Sequence, residues 1–390
     1  MLSKRVSQLE ASPTLVITAK AKELKSKGVD VIGFGAGEPD FDTPDFIKEA
    51  CIKALQDGKT KYSPPAGIPE LREAVSEKLR RENKLNYEPS DIVITCGAKM
   101  ALFLVFSVLL NQGDEVLLPT PYWVTYPEQI KLLEGKPVKV PTGKDFVLTV
   151  DLLKEYTTDK TKALVINSPN NPTGVVYPPE VLKEIATFCY EKGIFIISDE
   201  CYEAFVYENA EFISTASFSD SLREITFTVN AFSKTYSMTG WRIGYVACPP
   251  PFVKAIASLN SQTISNATTF AQYGALEALK NPSASEYVNK MRLEFRKRRD
   301  KAYELLRSIP HISLIKPQGA FYLFPDFSYY AQKLGNDIKL AEELLERGKV
   351  ACVPGSAFGT EGFLRISYAI DTESLEEGII RISRTLENLS

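Results

Sequence analysis

Val229-Asn230-Ala231-Phe232-Ser233-Lys234-Thr235-Tyr236-Ser237-Met238-Thr239-Gly240-Trp241-Arg242-Ile243-Gly244 is the stretch that decides how the rest of the chain is read. An apolar, β-branched run from Ile225 to Val229 leads into it and predicts a buried strand. Arg242 to Cys248 predicts another. Between them lies a loop of small and hydroxylated residues with one lysine near its start. A lysine just past a buried strand can lay its stem on apolar surface while its amine enters a cleft. In a partly dry cleft the amine deprotonates more readily, and a neutral amine forms a Schiff base with an aldehyde. Arg242, eight residues on, suits an anion such as phosphate. The pair points to a phosphorylated aldehyde cofactor; the plain alternative is a solvated lysine on a loop.

The composition narrows the classes. A chain of 390 residues, 44% hydrophobic and 24% charged, can bury a large core and has room for two domains. A net charge of −3 gives no reason to expect nucleic acid or a membrane surface. No apolar run reaches the roughly 18 residues a membrane span needs, and the N-terminus lacks the apolar stretch of a signal peptide. The six cysteines are scattered with no Cys-x-x-Cys pair, which favours core residues over disulfides or zinc and a cytoplasmic location. His311 is the only histidine, so neither a histidine triad nor a His-rich metal site can be built. That leaves lysine as the leading acid–base group.

Strands then alternate with helices. Asp91–Thr95, 115–119, Thr161–Asn167, Ile194–Ser198 and Ile225–Val229 read as strands. Helices are expected over 14–27, 44–57, 68–83, 97–110, from Pro121-Tyr122-Trp123 onward, and over 179–192. This pattern predicts an α/β fold with a largely parallel sheet covered on both faces. Ligands in such sheets sit beyond the carboxyl ends of the strands, and Gly97, Asn171, Asp199 and Lys234 all fall there. From about Ala267 long helices dominate, and the basic run Arg296-Lys297-Arg298-Arg299 reads as a solvated helix face. Short strands at 29–34, 312–315, 320–324, 350–353 and 363–368, with helices at 336–347 and 372–389, predict a second, α+β layer that the first 40 or so residues join.

Four features converge: Asn167-Ser168-Pro169-Asn170-Asn171-Pro172-Thr173-Gly174, Ser198-Asp199-Glu200-Cys201-Tyr202, the Lys234–Arg242 loop, and Leu364-Arg365-Ile366-Ser367-Tyr368. In this order the set resembles the class I aminotransferases of the pyridoxal-phosphate, aspartate aminotransferase-like fold (fold type I). The resemblance runs from Gly35 to Tyr368. It implies an N-terminal arm and part of a small domain over 1–42, a large cofactor-binding domain over 43–285 and a small C-terminal domain over 286–390.

The same resemblance implies roles. Lys234 would hold pyridoxal 5'-phosphate and, once freed, carry the substrate's Cα proton. Asp199 would pair with the pyridine nitrogen. Tyr202 and Asn171 would hydrogen-bond the ring's phenolic oxygen, and Trp123 would stack on the ring. Gly97, Ala98 and Lys99, opening a helix, would present N–H groups to the phosphate, with Ser233 and Arg242 completing that site. The family often carries a hydroxyl three residues before the lysine, where this chain has Ala231. Arg365 would take the substrate α-carboxylate beside Gly37. Tyr62 would reach the phosphate of the other subunit, making a homodimer with shared active sites.

Substrate choice rests on Lys99, with Ser12 and Thr14. In the prokaryotic, lysine-type subgroup of aspartate aminotransferases, a lysine at this turn and N-terminal hydroxyls read the distal carboxylate. Gly-Glu-Pro-Asp-Phe and Tyr-Trp-Val-x-Tyr-Pro-Glu also resemble that subgroup. A cation beside a phosphate serves equally to neutralise it, so Lys99 carries both readings. The implied reaction is L-aspartate plus 2-oxoglutarate giving oxaloacetate plus L-glutamate. Prephenate, aromatic or alanine-type specificity is the alternative, and a cofactor-binding regulator without turnover is the non-enzyme alternative. A nicotinamide dehydrogenase would need Gly-x-Gly-x-x-Gly after the first strand, and that pattern is absent.

Overall fold

A computed structural model describes residues 3–9 and 13–389. The first short strand, β1 (Ile32–Gly33), belongs to the second layer. The large sheet follows, with β2 (Ile92–Thr95), β3 (Glu115–Thr120), β4 (Lys136–Pro141), β5 (Thr161–Asn167), β6 (Phe195–Asp199), β7 (Thr226–Ala231) and β8 (Gly244–Ala247). Its order is β2-β8-β7-β6-β5-β3-β4. Only β8 runs antiparallel to its neighbours, so the other six strands end at one edge.

Burial on both faces explains the near-continuous apolar runs. Along β5 and β6, Val165 and Ile197 face the helix Ala98–Leu109, while Leu164, Ile166 and Ile196 face the helix Pro179–Lys192. At the other end Ile92, Ile94 and Tyr245 pack with the helices Pro69–Asn83 and Thr269–Lys280.

The second layer has β9 (Tyr322–Leu323), β10 (Val350–Ala351), β11 (Val353–Pro354) and β12 (Leu364–Ser367). β1 pairs parallel with β10, and β12 lies antiparallel between β11 and β9. Phe34, Phe321, Ile366 and Leu375 form its core with the helices Ser283–Arg307 and Thr372–Glu387. The expected strand at 350–353 is therefore two pairs of residues in two different sheets. No strand forms at 312–315, where Ser313 makes only a single bridge to Asp326.

Three other expectations change. The helix expected from Pro121 begins at Thr125. β4 and the helix Val150–Tyr156 depart from the expected elements: β4 is an edge strand with two prolines and two lysines in six residues, a composition that demotes a strand from sequence alone. The basic run is a solvated face only at Arg296 and Lys297. Arg298 and Arg299 are buried. Arg298 forks onto Asp40 at 2.8 and 2.9 Å, while Arg299 pairs with Glu208 at 2.6 Å and Asp300 at 2.7 Å. Asp40 and Glu208 lie far off in sequence, so nothing local marked the two arginines as interior. Among the described residues no helix is long and apolar enough to cross a membrane.

Candidate active site

A cavity of about 270 Å³ opens at the carboxyl edge of the large sheet. Ala98, Trp123, Asn171, Asp199 and Lys234 line one side; Gly37, Tyr322 and Arg365 of the second layer close the other. The site sits where ligands of open α/β sheets are held.

Lys234 belongs to a single helical turn, Phe232–Thr235, that starts where β7 stops. Its Nζ donates to the Gly37 carbonyl across the layers. Burial pulls the ammonium down to about 8; Cys201 and Glu38 oppose this, while Arg365 and Arg242 add to it. The amine is thus poised for deprotonation near neutral pH.

Asp199 is the last residue of β6 rather than the first beyond it. Its Oδ2 accepts from the Tyr126 hydroxyl at 2.7 Å and its Oδ1 from the Cys201 N–H at 3.2 Å. Burial raises the carboxyl's pKa, and these two donors and Lys234 pull it back. Tyr126 is the second tyrosine of the Tyr-Trp-Val-x-Tyr-Pro-Glu motif, a site residue that the sequence reading missed. Its three-residue offset from Trp123 at the start of a helix was the available signal. The rings of Trp123 and Tyr126 meet edge to face at 5.5 Å.

Arg365 sits on β12, 2% exposed. It donates to Asn171 Oδ1 at 3.0 Å and to the Gly35 carbonyl at 2.8 Å. Its guanidinium lies over the Tyr322 ring at 4.6 Å and Phe358 at 5.1 Å, and its buried Nε has no partner. A buried guanidinium in a cavity wall, with no described carboxylate paired to it, suits an anion. Asn171 is held by its N–H to Asn167 Oδ1 at 2.8 Å. The turn carrying it docks on the second layer through Gly174, whose carbonyl accepts from Gln318 and Gly319. A Cβ there would come within 2.7 Å of the Gly319 carbonyl, and its φ is +70°. Tyr202 shares a hydrogen bond with Tyr322 at 2.8 Å. Tyr322, which no sequence pattern marked, thus touches Tyr202, Arg365 and the space over Gly37.

At the other end Gly97 precedes the helix Ala98–Leu109; the Met100 and Ala101 N–H groups donate to the Gly97 carbonyl, while those of Ala98 and Lys99 have no carbonyl one turn back to bond. Arg242 lies over Gly97 so closely that a Cβ would be 2.5 Å from its guanidinium. That guanidinium donates only to the carbonyls of Thr239 and Cys96, and no described carboxylate pairs with it. Ser233 and Ala231 both line the cavity. Lys99 Nζ stands 5.0 Å from the Trp123 ring, and burial, then Arg242, lowers its pKa.

Pyridoxal phosphate fits this donor set. Free helix N–H groups and an unpaired guanidinium suit the phosphate, a buried carboxylate suits a ring nitrogen, and an easily deprotonated amine suits an aldehyde. Tyr62 does not reach the cavity of its own chain and is 88% exposed. Ser12 and the Thr14 side chain lie outside the described residues.

A family model for aminotransferase class I and II matches residues 29–382. The chain is 68% identical to a probable aspartate/prephenate aminotransferase of Aquifex aeolicus, covering 100% of this chain and 99% of the relative. It is 49% identical to an aspartate aminotransferase of Bacillus subtilis over the whole of both. Its structure resembles that of the Thermus thermophilus aspartate aminotransferase with maleate, at a TM-score of 0.95, 45% identity and 99% coverage of each chain.

Proposed function

Because the chain belongs to the class I and II aminotransferases, a pyridoxal-phosphate-dependent family of fold type I, we propose that it transfers the amino group of L-aspartate to 2-oxoglutarate. The observation that carries the reading is Lys234 Nζ at one cavity with the Arg365 guanidinium and a free helix N-terminus. The cofactor supplies an aldehyde that reacts with amines and a ring that draws electrons from the donor's Cα.

The chain's own groups do the rest. Lys234 would hold the cofactor through Nζ, then serve as the base that takes the Cα proton and returns it. Asp199 would keep the ring nitrogen protonated. Arg365 would grip the α-carboxylate with two parallel bonds and so fix which Cα bond faces Lys234. Asn171 and Tyr202 would take the ring's phenolic oxygen, and Trp123 would stack on the ring. Ala98, Lys99, Ser233 and Arg242 would hold the phosphate. Ser233 has a hydroxyl on the cavity and is the candidate to replace the one missing at Ala231.

Lys99 supports a dicarboxylic substrate, as does the maleate bound by the Thermus relative. The Aquifex relative's name adds prephenate as a second acceptor. The exposed Tyr62 supports a homodimer in which each subunit completes its partner's site. A division at 1–42, 43–285 and 286–390 accords with β1 pairing into the second layer. Six free thiols, four of them buried, support a reducing cytoplasm.

The test is a visible spectrum of the purified protein. A cofactor band that shifts on adding aspartate, and that Lys234→Ala abolishes together with turnover, is the expected result. Turnover with an intact band in Lys234→Ala would overturn the assignment.

A further inference from the structure

Behind the segment that carries Lys234 lies a second cavity, about 600 Å³, lined among others by Lys78, Glu203, Asn230, Ala231 and Tyr236. Ala231 lines both cavities, so the front of this segment faces the catalytic site and its back faces a polar cluster.

Glu203 is the hub of that cluster. Its Oε1 accepts from the Lys78 ammonium and from Asn230 Nδ2, the latter at 2.6 Å. Its Oε2 accepts from Asn83 Nδ2 at 2.6 Å, and Asn83 Oδ1 accepts from Lys78 at 2.7 Å. Lys78, Asn83 and Asn230 are all buried, and the Glu203 side chain is 12% exposed. Asn230 passes the constraint on: its Oδ1 accepts the Ala231 N–H at 2.7 Å.

The position of this cluster is informative. The pairing of β7 with β6 ends at Val229, opposite Asp199. Beyond it the two segments diverge, one into the turn bearing Tyr202 and the other into the turn bearing Lys234. Glu203 and Asn230 are the side chains that bridge them after the backbone ladder stops. A buried ion pair is weak as a source of stability, because desolvation offsets most of its attraction. Its better-attested use is fixing one arrangement against others.

We propose that Glu203, acting through Asn230, is a positioning residue that sets the place of Lys234 relative to Asp199 and Tyr202. This rests on Lys234 being the cofactor-holding residue. A fork of hydrogen bonds on one carboxylate locks the end of β7, the Asp199–Tyr202 turn and the helix Pro69–Asn83 to one another. Of the five residues from Asn230 to Lys234, the last three lie in the single helical turn Phe232–Thr235, so a shift at Asn230 is carried to the amine.

Asn230→Ala tests this while leaving Glu203 paired with Lys78 and Asn83. The expected result is at least a fivefold rise in the cofactor's dissociation constant and a tenfold fall in kcat. KM for aspartate stays within twofold, because Arg365 is untouched, and Tm falls by a few degrees. A lower Tm with parental kcat and parental cofactor affinity would show a merely structural cluster and overturn the proposal. Glu203→Gln should match or exceed those losses. If it does not fold, Asn230→Ala decides alone. Lys234→Ala run alongside keeps the readings apart: an intact band and turnover there would defeat the role of Lys234, whereas parental values in Asn230→Ala defeat only the positioning.

Discussion

The Tyr126 hydroxyl donates to Asp199 Oδ2 at 2.7 Å, with both residues buried. Burial holds the phenol well above its ordinary pKa, so it stays a donor at any working pH. The same burial raises the Asp199 carboxyl's pKa, which is the wrong direction for its proposed pairing with a ring cation. Tyr126 is the largest influence pulling it back. Tyr126→Phe should therefore weaken cofactor binding and lower kcat by roughly tenfold each, the scale of one hydrogen bond to a charged group. Equilibrium dialysis of the cofactor and steady-state rates measure both. Parental values would mean that the ring, not the hydroxyl, is what Asp199 needs.

Lys234 gives a pH prediction with a definite sign. Its pKa is depressed from 10.5 to about 8. Between those values the unfolded chain binds more protons than the folded one. This group's contribution to the stability of the cofactor-free protein is present above 10.5 and is lost as pH falls through 8. The rate of cofactor uptake should likewise rise through a midpoint near pH 8, since only the neutral amine attacks an aldehyde. A midpoint near that of free lysine would place the amine in water.

Much of this site was legible in the chain because its parts come from strand ends. Asp199, Asn171, Lys234 and Gly97 each follow an apolar run, and a run of that kind announces a buried strand. Tyr322 and Tyr126 were invisible as site residues for the opposite reason. Each lies among other aromatics, and only the contact across layers separates a wall of the cavity from a piece of core. Glu203, Lys78 and Asn230 come from three separate elements, so no local pattern joins them. The same physics hid Arg298 and Arg299. A buried cation is identified by a partner, and Asp40 is 258 residues away.

Arg365→Lys should raise KM for every amino donor by roughly thirtyfold, near 2 kcal/mol, with a smaller effect on kcat. A lysine offers no fork, and it cannot serve Asn171 Oδ1, the Gly35 carbonyl and a carboxylate together. The loss should be the same for aspartate, alanine and aromatic donors, because all share the α-carboxylate. A loss confined to dicarboxylates would move Arg365 from the α-carboxylate to the distal one.

Lys99→Ala separates the two uses of a cation at the helix start. If Lys99 reads the distal carboxylate, KM for aspartate and 2-oxoglutarate should rise by roughly tenfold or more while KM for alanine stays within twofold, because only the dicarboxylates lose a charge partner in a partly dry site. If it serves the phosphate, all donors should suffer alike and the cofactor's dissociation constant should rise with them. The geometry favours the first outcome. The ammonium stands over the Trp123 ring at 5.0 Å, the residue expected to cover the cofactor's face. Arg242, whose described hydrogen bonds go only to backbone carbonyls, is the proposed partner of the phosphate and leaves Lys99 free for the substrate. Burial and Arg242 both lower the pKa of Lys99, so a bound dicarboxylate should raise it again. The selectivity for aspartate over alanine should then weaken as pH climbs past that of the free amine, a trend that Lys99→Ala would erase.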